Sequence, residues 1–512
     1  MLGFFSNKSD HPLANVKSAQ NMLDALPKTD AVEVLQEIAH WIEALFDPAN
    51  EFRIDHQFAI LRMLDEAAHP HLRKVVHSYF AVVPPSEFQE KRLWGAMNAY
   101  SNFCDLGYLD LTIGMQHGEK GSAGMKPAVA LICARGIYAA LARLESAAVR
   151  YEQINPQLWM HLGQFYAYAE AEKCLDEQVT LYAGLGVSTS VRRIFASALV
   201  WYTAGVGSLR PLDLHIAKRL SLYLSKSFTV SEHCKEDSLF AFDLLHPSAP
   251  FRVKESGTMY PSSYRFMSIG ETSAQLDNIL KTLAKNLVPE ELNLGVAYGA
   301  EEVVEVVNRL AAYSQTRQPV RRPTRRRIQM KLSVLNGFFS LVEETAVDLN
   351  LNSPASEYWE VEDISANGMR CVLPEGRTSH VKIGMLIGLQ PEKAMHWGVG
   401  IVRRLTRDEQ NNLHIGINIL SNKVFSVMLH GHDGISSDAD YTALLLDGLD
   451  ESSSESRMLI KSEIFSINRS PTMSLGEQSY LLLPLEMEEK GLDFDLVRYR
   501  KMLQDDSSEE AY

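Results

Sequence analysis

Cysteine is scarce in this chain: Cys104, Cys133, Cys174, Cys234 and Cys371 are all there is in 512 residues, and no two form a C-x-x-C pair. An odd, dispersed set excludes a disulfide scaffold and fits reduced thiols. Long apolar runs are lacking too. The most apolar stretch, Ala128 to Leu141, is broken by Arg135, well short of the roughly 20 residues a membrane span needs. The apolar start from Met1 to Phe5 stops at Asn7, Lys8, Ser9 and Asp10, short of a signal-peptide core. A soluble cytoplasmic chain with no membrane span is the expectation.

Positive charge is in deficit. The formal net charge is -14, and such a field repels polyanions, which argues against a protein that coats nucleic acid. An anion site would have to be local. Catalytic signatures are also missing. No Ser-His-Asp or Cys-His order or paired carboxylates stand in a recognisable frame. Gly118 to Gly124 lacks the G-K-[ST] of a phosphate loop. His69, His71 and His77 flank a helix start without metal-ligand spacing. The chain is therefore expected to be no enzyme, with no metal and no cofactor; an unrecognised activity would have to lie in residues 1 to 315.

What is present comes in two textures. From about 30 to 315 the pattern is helical. Val32, Val34, Leu35, Ile38, Trp41, Ile42 and Leu45 recur at three and four behind Asp30 as N-cap. Leu276, Ile279, Leu280, Leu283 and Leu287 form another stripe, opened by Thr272 with Gln275 as a capping box. Similar patterns predict helix over Ala128–Val149, Trp159–Leu185, Ser190–Thr203 and Glu301–Tyr313, with Gly257 to Gly270 a crossing loop. No fixed-period repeat stands out, so a helical bundle or array, in one or two subdomains, is expected.

After about 327 short β-branched and aromatic runs between Gly, Asn, Asp and Pro clusters predict strands. They fall at Ile328–Val334, Tyr358–Asp363, Met369–Leu373, Met385–Leu389, Trp397–Leu405, Leu413–Ile419 and Val424–Leu429. Beyond the Ser-rich Glu451 to Ser456 come Met458–Ile467, Tyr480–Pro484 and Phe494–Tyr499. The acidic tail Asp505 to Tyr512 reads as disordered.

At the junction lie Arg317, Arg321, Arg322, Arg325, Arg326, Arg327 and Lys331, with no acidic residue between Glu305 and Glu343. Arginine can fork onto phosphate oxygens, pair with the O6/N7 edge of guanine, or stack on its face. Pro319 and Pro323 disfavour helix here and predict an extended linker. Downstream, Asp363-Ile-Ser-Ala-Asn-Gly368 has the form D-x-S-x-x-G. A basic linker and a polar turn are each common alone.

Together they resemble the PilZ family, marked by R-x-x-x-R in an N-terminal arm and [D/N]-x-S-x-x-G on a β-barrel. Trp397-Gly-Val-Gly-Ile-Val-Arg-Arg-Leu, which contains Arg404, and His414-Ile-Gly-Ile-Asn resemble the two strands that follow. The resemblance implies binding of the bacterial second messenger cyclic di-GMP. Asp363 would accept from guanine N1–H and N2–H, Ser365 would add a hydroxyl or hold the turn, and Gly368 would allow a positive φ or a close ligand approach. The arginines would take phosphates and Hoogsteen edges. Three registers satisfy R-x-x-x-R (Arg317/Arg321, Arg321/Arg325 and Arg322/Arg326), and Arg322/Arg326, nearest the first strand, is favoured. Residues Asn336 to Glu357 exceed the family's usual spacing and predict an insertion or lengthened hairpin.

The expected architecture is multidomain α plus β: a helical region at 1–315, an arginine-rich linker at 316–327, a PilZ-like antiparallel barrel at 328–435, further strands at 436–504, and a disordered tail at 505–512. The expected ligand set is Arg321, Arg322, Arg325, Arg326, Arg327, Asp363, Ser365, Gly368 and Arg404. The expected function is a cyclic di-GMP effector that rearranges its domains and alters a protein partner bound through the helical region. The alternative is a helical scaffold with a degenerate barrel and an arm that binds polyanions.

Overall fold

Helices here start where the sequence supplies a cap. Asp30 accepts from the amides of Val32 and Glu33 to open α2 (Ala31–Leu45), and Ser86 with Gln89 closes a capping box on α4 (Glu87–Gln116). Asn155 caps α6 (Pro156–Ala171), whose first residue is a proline with no amide to satisfy. The remaining helices are α1 (Val16–Asp24), α3 (Ile54–Tyr79), α5 (Val129–Ala148), α7 (Val191–Thr203), α8 (Pro211–Leu224), α9 (Thr272–Leu283), α10 (Ala300–Tyr313) and α11 (Gly337–Ala346). The computed structural model describes residues 11–27, 29–183, 188–253, 259–294, 298–313, 325–346, 357–378, 380–431, 440–446, 454–475 and 478–504. It divides into two compact units, Met1–Gln318 and Pro319–Tyr512.

The first unit is mainly helical, with the face predicted for α2 buried along Val32, Val34, Leu35, Ile38, Ile42 and Leu45. It is not all helix. Strands β1 (Val179–Thr180) and β2 (Ser188–Thr189) pair, and β3 (Thr229–Ser231), β4 (Phe240–Asp243), β5 (Phe251–Arg252) and β6 (Tyr264–Ser268) form a sheet in the order β3-β6-β4-β5. Thus the expected crossing loop holds β6, because Phe266 and Met267 bury their side chains. The helix expected over Trp159–Leu185 stops at Ala171, and Lys173 turns the chain at a φ of 60°. Thr272 opens α9 as its first residue rather than its cap, its hydroxyl donating back to the Ile269 carbonyl. The histidine cluster lies inside α3, which runs through Pro70.

The centre of this unit is polar. Asp65, wholly buried, accepts from the hydroxyls of Tyr100 (2.5 Å), Tyr108 (2.5 Å) and Tyr182 (2.9 Å) and from Arg135 (3.3 Å). Arg135 also donates to the Leu181 carbonyl and to Glu66. Ser122–Ala148 is long and apolar enough to cross a membrane, yet most of it is packed inside the unit around this arginine.

One turn along α3, His69 stacks on Tyr182 at 3.9 Å. Burial, then the charges of Arg73, Arg135 and Arg219, hold its pKa down at about 4. Between that value and the ordinary 6.5 the unfolded chain takes up a proton that the folded one refuses. Stability is therefore lost as pH falls from 6.5 toward 4, and His71 and buried His215, both shifted down by burial, act in the same direction. Helical stability measured by urea unfolding is expected to drop by on the order of 2 kcal/mol or more between pH 7 and pH 5. His69→Phe should flatten part of that slope.

The second unit is two closed, six-stranded antiparallel barrels. The first contains β7 (Arg326–Asn336), β8 (Glu357–Ser365), β9 (Gly368–Leu373), β10 (Leu386–Pro391), β11 (Gly398–Arg407) and β12 (Leu413–Ser421). The second contains β13 (Val424–His430), β14 (Tyr441–Leu446), β15 (Glu455–Lys461), β16 (Thr472–Leu475), β17 (Gln478–Lys490) and β18 (Phe494–Gln504). Strand β13, read from sequence as part of the first barrel, pairs with β14 and β16 instead. Both edges of β12 are already paired, with β11 and with β9, so the closed first barrel offers β13 no open edge.

Numbered within each barrel, both follow the neighbour order 1-2-3-6-5-4, closed by pairing of the first and fourth strands. The second barrel repeats the connectivity of the first. The insertion expected at Asn336 to Glu357 begins with α11, which packs on both barrels. Phe338 and Leu341 join Leu386, Ile401, Leu444 and Phe494 in a shared apolar core.

Candidate functional site

Strand alternation sends Leu332, Trp359, Val361, Met369, Cys371, Ile415 and Ile417 into the first barrel and their neighbours outward. Cross-strand pairing then places Arg327 opposite Asp363, Asp363 opposite Arg370, Arg370 opposite Gly416 and Gly416 opposite Arg404. These five residues form one lateral row over β7, β8, β9, β12 and β11. Three guanidinium groups and one carboxylate flank a position with no side chain.

Arg325, just before β7, donates to Asp363 at 2.8 Å. Arg326, Arg327 and Arg404 are exposed and form no ion pair among the described residues. Behind the row, Glu362 sits in a register shift of β8 and pairs with Arg370 (2.8 Å) and His414 (3.0 Å). The other ring nitrogen of His414 faces Asp408 at 3.1 Å. The amide of Asn412, with smaller help from His414, holds Asp408 down at about 2. Glu362 thus orients Arg370, and the outer edge keeps an excess of positive charge.

Of the residues expected from sequence, Arg327, Asp363 and Arg404 stand in this row and Arg325 reaches it through Asp363, whereas Arg326 is paired with Ile364, one position before Arg327 on β7. Arg321 and Arg322, like Arg317, lie outside the described residues. Ser365 and Gly368 form the tip of the β8–β9 turn, where the Ser365 hydroxyl donates to the Gly368 carbonyl at 3.1 Å. Of the two roles expected for Gly368, a positive φ or a close approach, the positive φ is not found. A Cβ there would come within 3.2 Å of the Ile417 carbonyl, so this glycine admits the neighbouring strand rather than an unusual backbone. Sequence reasoning missed Arg370 and Gly416. Arg370 could have been found by counting two residues outward from Gly368 along the strand, whereas Gly416 needs the register. A Cβ on Gly416 would lie 3.0 Å from that of Arg404.

The second barrel tests the row by comparison. In both barrels the fifth strand shifts register twice against the sixth, and one of the two shifts falls between Val402 and Arg404 in the first and between Pro484 and Glu486 in the second. Aligned on that shift, Arg370, Gly416 and Arg404 correspond to Arg457, Arg498 and Glu486. Arg498 fills the glycine's place and binds Glu486 at 2.6 Å, while Arg457 binds Glu488 at 3.0 Å. The same face is internally neutralised.

Among the described residues no group of three or more His, Cys, Asp or Glu side chains could hold a metal ion. Cys104, Cys133, Cys174 and Cys371 are buried and Cys234 is exposed, none in a disulfide.

Fold and face together describe a helical unit joined to a tandem barrel unit, one barrel of which carries an open cationic row. Residues 17–235 match the family model described as "Cyclic-di-GMP receptor FimW, N-terminal domain". No curated protein matches the chain.

Proposed function

We propose that this chain is a cyclic di-GMP receptor whose first barrel, a PilZ-like domain, binds the ligand along the Arg327–Asp363–Arg370–Gly416–Arg404 row. The observation that carries this reading is the row itself, preceded by the arginine arm and read beside the helical region's similarity to a cyclic-di-GMP receptor family. Asp363 accepts from the N1–H and N2–H edge of a guanine. Arg370 and Arg404 take phosphate oxygens or a Hoogsteen edge. Gly416 leaves the floor flat so that a base or ribose can lie between them. Binding exchanges the Arg325–Asp363 ion pair for guanine on Asp363 and phosphate on Arg325.

Arginines from Arg317 to Arg327 add to the contacts with the ligand's phosphates, and binding changes the arrangement of the two units and what the helical unit binds. A coupling of about 1–3 kcal/mol is the scale to expect. The protein acts as a binding effector, not an enzyme, on a nucleotide of the cytoplasm.

Equilibrium dialysis of labelled cyclic di-GMP against the full chain tests this reading. Saturable binding should be lost in Arg322→Ala/Arg326→Ala and kept within about twofold in Arg457→Ala/Arg498→Ala, because the second barrel's face is self-paired. Salt-sensitive uptake of any polyanion, indifferent to Asp363, would instead favour a scaffold with a degenerate barrel.

A further inference from the structure

The helical unit has its own candidate ligand cleft, of about 580 Å³, between α3, α4, α5 and α8, with Asn293 and Tyr298 on one side. This volume lies within the range of small-molecule sites. Arg73, Lys74 and Arg219 reach it, and none of the three has a carboxylate partner among the described residues; Arg219 donates to the Asn293 carbonyl at 2.6 Å. Glu145, the one carboxylate in the lining, is buried and committed to Lys218 and to His215 at 3.2 Å. Nothing in the wall therefore cancels the three outer cations. In a chain of net charge -14, such a local excess marks an anion site.

Much of the remaining wall is apolar or aromatic, with Ser101, Ser146 and the histidines among it. Phe80 lies parallel to the His215 ring at 4.4 Å, the Tyr298 hydroxyl donates to the Phe80 carbonyl at 3.3 Å, and Tyr138 and Met97 line the same space. These contacts hold the wall in place. A free inorganic anion would leave it unused, and an uncharged ring system would leave the cations unused.

We infer that this cleft binds a nucleoside phosphate, its base against the half-buried Tyr138, Leu72 and Val76, which Phe80 and Tyr298 back from within, and its phosphate on Arg73, Lys74 and Arg219. Guanidinium groups supply forked donors to phosphate oxygens, and aromatic side chains accept any base with little preference. This site is separate from the barrel row and does not depend on how that row is used.

The test is equilibrium dialysis of the full chain with labelled GMP and AMP, with guanosine and inorganic phosphate as competitors. One saturable site is expected for either nucleotide, at least about tenfold tighter than for guanosine or phosphate alone. Arg73→Glu/Lys74→Glu should weaken it by about tenfold or more, and since both residues are exposed, far-UV circular dichroism should show the fold intact. Arg404→Ala, in the barrel, should leave it unchanged. Absence of saturable uptake, indifference to Arg73→Glu/Lys74→Glu, phosphate competing as well as GMP, or loss in Arg404→Ala would each overturn the inference.

Discussion

Asp363→Ala is expected to weaken cyclic di-GMP binding by about 10- to 100-fold, the cost of one charge-assisted hydrogen-bond acceptor in a bound complex. Asp363 stands between Arg327 and Arg370 in the row and is held by Arg325, so removing it also leaves that arginine without its anchor. Asp363→Asn separates the two contributions. It keeps the size of the side chain and one carbonyl acceptor, yet cannot accept from both guanine N–H groups, so binding should stay impaired while the β8–β9 turn is unchanged. Gly416→Val should act in the same direction by another route, since its Cβ would press on the Arg404 side chain and raise the floor between the cations. Competition binding reads all three effects.

Arg135→Met is expected to be the most damaging single change to folding. The guanidinium is 2% exposed and Asp65 is wholly buried. Truncation leaves a buried carboxylate with only tyrosine hydroxyls to solvate it and the Leu181 carbonyl without its donor. Breaking one side of a buried pair costs about 3–5 kcal/mol, enough to bring the helical unit close to unfolding. Arg135→Met combined with Asp65→Leu should recover part of the loss, because no isolated charge then remains. Urea unfolding followed at 222 nm measures both variants, and cyclic di-GMP binding by the barrel should survive in the native baseline.

The sequence made some elements legible because their signals are local. Asp30 and the three-and-four stripe behind it define α2 without reference to anything distant, and the runs from Ile328 to Ile419 alternate well enough to mark the six strands of the first barrel. D-x-S-x-x-G falls on a turn because Ser365 and Gly368 bond across it. What escaped depends on pairing. Arg370 and Gly416 become neighbours of Asp363 and Arg404 only through the register of β8, β9, β12 and β11, which joins residues 46 apart between Arg370 and Gly416.

Two strands of the second barrel hid for a related reason. Strand β14 is a short run, Tyr441–Leu446, and β16 has four residues, neither with the alternation that declares a half-buried strand. The second barrel's kinship to the first lies in connectivity and a shared register shift, not in motif. In the helical unit β6 was masked by its Tyr, Ser and Pro setting. The buried Asp65 cluster draws on α3, α4, α5 and Tyr182, which no window of sequence contains.

The most direct test of the central claim is isothermal titration of cyclic di-GMP into the full chain, with GTP as the control ligand and Asp363→Ala beside the unaltered protein. The account predicts saturable heat for cyclic di-GMP that is lost in the variant, while any heat from GTP belongs to the helical unit's cleft and is the same in both proteins. No heat from cyclic di-GMP at high concentration, or cyclic di-GMP heat that Asp363→Ala leaves unchanged, would contradict a cyclic di-GMP site on the first barrel.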